Sequence, residues 1–517
     1  MRRATAFGLL VALLAGAAAA FAQQREEPSV SVDFSVAGYY RMRYDNFFAA
    51  KWIDTMGSNW IEYIDQRLQL RPTLTINDRI AIHLQADLLR NVLSGQNLVV
   101  EDPLLHVTRF RAGSSTDYVI QNLDLGSTRF ATGNIFQEVS SSTGADGEEV
   151  PQFQLTRVWG DVFLPFGRLR FGRMPASFGM GLVFNDGLGL DDDYGDTFDR
   201  FMFSTAIGPV VPAIGYDRMA SGDITSGWSD VHQVFLNANY AGDPISAGGQ
   251  FAFRTQSSTR SKVYILDGWL KSVYKGFTVE AEGGLFQGAT TQVSKRTVEA
   301  LEEAGYPTGD GGGKVLVNAY LAALRGSYAV PHWTAGVEAG VSSPAARNPK
   351  NEFSVAAANL VAEGRTRLKA DPDNVDVRKD FLDTILNNQT AFGRRISTFP
   401  FDPDYHVDLL LWRRLMGGSV VNGTYAKAFL QLTPFDWMIV RLDVIGSWIS
   451  SPGSGRDGKT ARRDLGWEFD PQIGFSVARH FHLDLRLGYL AIGNYFRDVY
   501  SGAKSPYTFQ SNFTIDF

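Results

Sequence analysis

The sequence predicts an all-β chain that closes into a transmembrane, antiparallel, up-and-down β-barrel of about eighteen strands, with sixteen as the alternative count. Three observations predict it. Apolar and polar residues alternate with period two in segment after segment, compact turns alternate with long polar connections, and no later apolar run is long enough for a membrane helix. The last eleven residues, Tyr507 to Phe517, show the alternation most fully. Tyr507, Phe509, Phe513, Ile515 and Phe517 fall on one side of an extended strand, and Thr508, Gln510, Asn512, Thr514 and Asp516 on the other. Successive side chains of a strand point to opposite faces, so this strand has one apolar and one polar face.

The other end of the chain reads as an export signal. Arg2 and Arg3 precede an unbroken apolar and small-residue run from Ala6 to Phe21, and Ala20-Phe21-Ala22 matches a small-residue cleavage site. Residues 1–22 are therefore expected to be removed, leaving 23–517 as one barrel domain. A membrane helix needs ~18 consecutive apolar residues. A mean hydropathy of -0.12 does not argue against membrane strands, because each lipid-facing residue is averaged with an inward polar one. The 517 residues hold no cysteine, which excludes thiol catalysis and disulfide staples. A net charge of -6, well mixed along the chain, leaves no nucleic-acid footprint. The 52 glycines and 13% aromatic residues suit close strand packing and interfacial aromatic girdles.

Turn signals give the strand count. Compact turns fall at Asn77-Asp78, Pro165-Phe166-Gly167, Gly208-Pro209, Gly242-Asp243-Pro244, Lys275-Gly276, Val330-Pro331, Thr433-Pro434-Phe435-Asp436 and Arg479-His480. Longer connections lie near 45–59, 91–152, 176–198, 219–229, 257–261, 288–313, 344–418, 451–463 and 495–504. Eight turns and nine loops separate eighteen strands, so both termini end on the short-turn, periplasmic rim. The Gly208-Pro209 hairpin is the weakest of the turns, and losing it gives sixteen. Between the turns the alternation recurs. Leu68, Leu70, Leu74 and Ile76 oppose Arg67, Gln69, Arg71 and Thr73, and Phe481, Leu483, Leu485 and Leu487 oppose His482, Asp484 and Arg486. Closing such a sheet removes the edges that lipid cannot satisfy.

A signal peptide, about eighteen strands, long outer loops and a terminal Phe517 together resemble the large porin-like outer-membrane barrels, with alginate-export-type channels nearest in size and strand count. Arg168-Leu169-Arg170-Phe171-Gly172-Arg173 leading to Phe178-Gly179-Met180-Gly181 resembles their strand-and-loop pattern. The resemblance implies a bacterial outer-membrane location and passive passage or export of polar small-molecule or oligosaccharide solutes. It also implies lipid and lipopolysaccharide as surroundings, and a terminal strand that addresses Tyr507, Phe509, Phe513, Ile515 and Phe517 to the barrel-assembly machinery. It carries no substrate-binding residue onto this chain.

Charges on the predicted inner faces are the functional signal that the residues themselves offer. Strands two to five carry Arg67, Arg71, Arg79, Arg157, Arg168 and Arg170, with Asp87 and Asp161 interspersed. From strand ten onward come Asp267, Glu280, Glu282, Glu338, Asp443, Glu468, Asp470 and Asp484, diluted by Lys271, Arg325, Lys427, Arg441 and Arg486. Opposed walls of this kind would set a field across the pore and order polar or zwitterionic solutes. Lateral ladders that neutralise one another are the alternative.

Two loops add to this. Loop 176–198 gathers Asp186, Asp191, Asp192, Asp193 and Asp196, and clustered carboxylates can hold Ca²⁺. Asp191, Asp192, Asp193 and Asp196 are the candidate ligands, with a solvated loop bridged to lipopolysaccharide by divalent ions as the alternative and no other cofactor implied. Connection 344–418 is too long for a bare loop. Its stretches 355–368 and 377–386 have helix-compatible spacing, and it is expected to narrow the mouth or to sit outside as a receptor surface. Loop 91–152 is a second segment able to reach the lumen. The seven histidines sit in no G-x-S-x-G, H-E-x-x-H or paired Ser/His motif, so the sequence argues against an enzyme. The reading is a porin-like channel. Its alternative is a plugged structural or adhesive barrel whose outer loops bind partners.

Overall fold

The computed structural model describes residues 30–48, 60–93, 154–220, 231–257, 260–291, 314–344, 395–416, 418–453, 456–500 and 502–517. The expected signal peptide, the bulk of loop 91–152 and the two helix-compatible stretches of connection 344–418 lie outside the described residues.

Nineteen strands are described. They are β1 Val32–Phe48, β2 Trp60–Ile76, β3 Ile80–Leu93, β4 Gln154–Leu164, β5 Gly167–Pro175, β6 Thr197–Ser204, β7 Val210–Ala220, β8 Val231–Ala241, β9 Ile245–Gln256 and β10 Ser261–Tyr274. There follow β11 Phe277–Thr291, β12 Lys314–Val330, β13 Trp333–Ser342, β14 Arg395–Ile396, β15 Gly423–Phe435, β16 Met438–Ile449, β17 Asp464–Val477, β18 Phe481–Ile492 and β19 Tyr507–Asp516. Eighteen of them pair antiparallel with their chain neighbours, β13 passing directly to β15, and β1 pairs with β19 to close the ring. The two-residue β14 lies outside that order, parallel to the loop end of β12. β6 and β7 do form a hairpin, with Ser204 opposite Ala213 and Asp199 opposite Arg218, so the count is eighteen and not sixteen.

All eight compact turns are present, three of them shifted: Val330-Pro331 to 331–332, Thr433-Pro434-Phe435-Asp436 to 436–437 because β15 runs on through Phe435, and Arg479-His480 to a turn centred on Ala478-Arg479. Asn77 and Asp78 (φ 51° and 54°) and Ala478 and Arg479 (φ 53° and 66°) are left-handed. That is the primed-turn twist a two-residue hairpin needs. The start of β1 and the end of β19 lie on this rim, where Asn77 N–H donates to the Ser31 carbonyl and Asp516 N–H to that of His480.

The alternation sorts the two faces. Along β10, Tyr264 and Leu266 are exposed outward while Val263, Ile265 and Asp267 are buried inward. Val234, Leu236, Leu285, Leu324 and Leu430 extend the outward apolar surface around the ring. An apolar exterior on a closed barrel, whose backbone groups are all paired between strands, is stable in lipid. No described helix is long and apolar enough to cross a membrane; the strands do the crossing.

Residues 176–196, between β5 and β6, fold inside the ring, and so do residues 397–416 before β15. Phe178, Leu182, Phe184, Phe399, Phe401, Leu410 and Trp412 pack against inward Phe286, Val317, Tyr425 and Ile445 as one buried apolar cluster. A solvated acidic loop is one of the two sequence readings of 176–198, beside a calcium site. The loop's apolar root, which solvent could not cover, explains why it turns inward.

Candidate functional site: the interior of the barrel

The arginines of the expected basic wall are heavily paired. Arg67 on β2 donates to the Asp192 carbonyl at 2.8 Å and lies 3.4 Å from Asp87. Arg157 on β4 donates to Gln85 at 2.9 Å and to the Asp186 carbonyl at 2.8 Å. On β5, Arg170 grips Asp161 with two bonds of 2.7 and 3.0 Å, and Arg168 reaches the same carboxylate at 4.0 Å. Arg71 is partly buried, its Nε without a partner among the described residues. Arg79 is a correction: it stands exposed in the turn between β2 and β3, where no wall forms.

The acidic side holds loop backbone as much as it lines a passage. Glu282 on β11 accepts the N–H groups of Met180 and Leu182, the latter at 3.0 Å. Glu468 on β17 accepts those of Leu409, Leu410 and Leu411 at 3.0, 2.7 and 2.9 Å, and Asp470 also accepts Leu409 N–H, at 3.2 Å. Leu411 is the first residue of the π turn Leu411–Leu415, whose next two N–H groups, of Trp412 and Arg413, go to Asp408. Glu338 receives Arg325 at 2.6 Å and the hydroxyls of Tyr405 and Tyr425 at 3.1 and 2.6 Å. Glu280 pairs with Lys271, Asp443 with Lys427 and Arg441, and Asp484 with Gln472 and Arg486. Neither oxygen of buried Asp267 has a partner among the described residues. Lateral ladders and loop anchoring thus take up most of the charge that the opposed-wall reading left free.

The tip of loop 176–196 meets the wall at the closing seam, where β18, β19 and β1 are neighbours. Asp193 binds Arg41 Nη2 at 2.5 Å and Arg43 Nη1 at 2.9 Å, both on β1. Asp191 binds Arg486 of β18 at 2.6 Å and Arg413 at 3.1 Å, and accepts Asn512 Nδ2 of β19 at 3.2 Å. Burial pushes the Asp191 carboxyl up, but the Arg413 and Arg486 guanidiniums outweigh it and hold it well below the ordinary range. At Asp193 burial likewise raises the carboxyl, and Arg41 and Arg43 overcome it and hold it far below the ordinary range. Asp192 has no such cation, and burial with the neighbouring Asp404 charge pushes it up to about 7.

The calcium candidates are divided by this arrangement, since Asp191 and Asp193 face guanidiniums and Asp196 turns to Asn185. Among the described residues, the one group of acid and imidazole atoms lying within 4.8 Å of one another is Asp192, Asp404 and His406. Both Asp404 oxygens there already accept backbone N–H groups, those of Asp193, Tyr194 and Gly195. Burial, helped by Arg413, lowers His406 to about 3 and keeps it neutral.

Sequence reasoning missed Arg41 and Arg43, although Tyr39, Arg41, Arg43 and Asp45 alternate on one face of β1 as the residues of β2 do. It also missed that Arg414 reaches back to Asp45 at 2.6 Å, a pairing across 369 positions that no local pattern encodes.

The terminal strand is placed as expected, with Tyr507, Ile515 and Phe517 exposed outward and Thr508, Gln510, Asn512 and Thr514 buried inward.

A closed eighteen-strand barrel with a lipid-facing exterior, a polar inner wall and inward-folded loops is an integral outer-membrane barrel of porin-like architecture. The sequence matches no protein-family description and no curated relative. Solved structures do match. Acinetobacter baumannii OccAB3 is 9% identical over 94% of this chain and 100% of that one, with a TM-score of 0.51. Pseudomonas aeruginosa OccK9 (OpdG) is 11% identical over 94% and 99%, with a TM-score of 0.49. Pseudomonas aeruginosa OpdK, solved with vanillate, is 10% identical over 94% and 98%, at 0.46. At these identities the likeness is one of fold.

Proposed function

We propose that this chain is a porin-like outer-membrane channel through which small polar solutes diffuse, narrowed midway by loop 176–196 and segment 397–416. The carrying observation is the ring itself: β1 through β19 close around an interior lined by Arg, Asp, Glu, Gln and Ser side chains. Two cavities, the first mainly polar and the second mixed, support a passage. One of about 420 Å³ lies toward the long-loop rim, and another of about 460 Å³ opens toward the short turns. The channel is not read as an enzyme. Segment 397–416 is the described part of the connection expected to narrow the mouth, and its anchoring to Glu468 and Glu338 favours a fixed constriction over an outer receptor surface.

Finer parts of the proposal rest on the sequence. Residues 1–22 act as a cleaved export signal, and the outward aromatic face of β19 addresses the barrel-assembly machinery. Lipopolysaccharide surrounds the outer rim. Size and strand count are the support for export-type, alginate-like transport, and they suit inward diffusion equally well. The second reading is a plugged surface barrel. The packing of loop 176–196 and segment 397–416 into one buried cluster inside the ring favours it.

One experiment separates them. Refolded 23–517 in a planar bilayer under a salt gradient should give steady conductance with a measurable reversal potential. Insertion without conductance would refute the channel and leave the plugged barrel.

A further inference from the structure

Residues 176–196 contain two mechanically different parts. The root is apolar: Phe178, Leu182, Val183 and Phe184 belong to the buried cluster. No residue from 185 to 196 does; that stretch is held by charge and hydrogen bonds. Its neck is a pair of glycines. Gly187 (φ 65°) and Gly195 (φ 66°) are both left-handed, and a Cβ on Gly187 would lie 2.5 Å from the Gly195 Cα. Only residues without a side chain let the two strands of the neck touch while turning this way. Between them, the tip carries its two strongly ionised carboxylates, Asp191 and Asp193, to guanidiniums fixed in the wall.

We propose that residues 187–195 form an electrostatic latch, hinged at the Gly187–Gly195 neck and fastened to the barrel wall by Asp191 and Asp193. The proposal rests on the channel reading and names how that channel is regulated. Tyr194 and Gly195 line the cavity toward the long loops, while Leu190 and Asp191 line the cavity toward the short turns, so the tip is the partition between them. Fastening it keeps the passage narrow. Mobile ions that screen or compete for Arg486 and Arg413 at the partly exposed Asp191 weaken that end of the fastening first, and the apolar root stays seated because salt does not loosen hydrophobic contact. The Arg67 and Arg41 bonds to the Asp192 and Leu190 carbonyls guide the tip back to the same seat.

The test is single-channel conductance of the full mature chain from low to high KCl. Over about 0.1 to 1 M the Debye length falls from roughly 10 Å to roughly 3 Å, which acts first on the more exposed Asp191 contacts to Arg486 and Arg413 and much less on the buried Asp193 contacts. The latch predicts that wild-type conductance rises more steeply than the conductivity of the bath. In D191N/D193N that excess salt dependence should be lost, with conductance at low salt raised toward the high-salt, bath-scaled value. Arg486→Gln approaches the same contact from the wall and should lose part of the excess, while Asp193→Glu should keep it. Heat-modifiable gel migration identifies which variants are folded. If folded variants and wild type conduct alike, with the same salt dependence, the latch is overturned and the channel stands. If neither wild type nor any variant conducts, the channel reading fails and the latch with it.

Discussion

The carboxylate of Asp404 accepts the backbone N–H of Gly195 at 2.8 Å, joining two long connections 209 residues apart in sequence. The same carboxylate takes Asp193 N–H at 2.9 Å and Tyr194 N–H at 3.1 Å. One side chain therefore does for three loop donors what a strand partner would do in the wall. Asp404→Ala leaves those donors without protein acceptors, and each buried donor left unpaired costs about 1–3 kcal/mol, less where lumen water reaches it. The expected outcome is a barrel that folds normally but shows frequent open-level fluctuations and faster proteolytic cutting between 187 and 195. A quiet channel with wild-type protease resistance would mean that the wall arginines alone seat the tip.

At the closing seam, Gly38 and Phe517 exchange both backbone hydrogen bonds, at 2.8 and 3.0 Å. A Cβ on Gly38 would sit 2.3 Å from the Gln69 carbonyl and 3.0 Å from the Phe517 ring. Gly38→Val therefore cannot be accommodated without parting β1 from β2 or from β19. The prediction is a sharp fall in the heat-modifiable, folded fraction after refolding, with Gly249→Val as the control because its Cβ would meet nothing within 4 Å. Equal folded yields for the two variants would show that the seam tolerates local separation.

Leu285 is half-exposed on the outer face near the middle of β11. Arginine at the midplane of a barrel's lipid face costs about 2–4 kcal/mol, falling toward zero near the interfaces. Leu285→Arg should lower the unfolding free energy in lipid vesicles by that amount, read as a fall in the denaturant midpoint at unchanged m. Phe277→Arg, at the short-turn end of the same strand, should cost far less. Similar penalties at both positions would place the membrane boundary elsewhere along β11.

The ring was legible because its information is local. Period-two alternation and turn chemistry are read within ten residues, and they fix the strand count and the face of Arg67 or Asp484. Glu282 and Glu468 show where local reading stops. Their inward orientation follows from alternation, yet their partners are N–H groups of Met180 and Leu410, more than fifty residues away and set by how two loops fold inside the ring. Loop 176–198 drew attention through its aspartates, whereas Phe178, Leu182 and Phe184 decide where it goes. Those residues follow no strand or helix period, so only their need for burial carried the signal.

Acidification should tighten the docked loops before it loosens them. Burial, with the charge of Asp404, raises Asp192 to about 7, and burial raises Asp408 to about 6, against an ordinary 3.8 for both. Between the ordinary value and the raised one, the docked arrangement binds protons that an undocked loop would release. Its stability is therefore fully present below the ordinary range and is lost as pH rises through about 6 to 7. The slope is at most about 1.4 kcal/mol per pH unit for each proton, reduced by solvent where a group is half-buried. Asp191 and Asp193 carry the opposite sign, because their docked values are depressed. Their contribution persists down through the ordinary carboxylate range and disappears only in stronger acid. His406 stays neutral throughout, since it is lowered to about 3. Single-channel recordings from about pH 8 to about pH 5 should thus show fewer opening fluctuations as protons are added, and Asp192→Asn should flatten the part of that response near pH 7. Fluctuations that increase on acidification would mean that the tip seats with Asp192 ionised, and that a cation compensates it there.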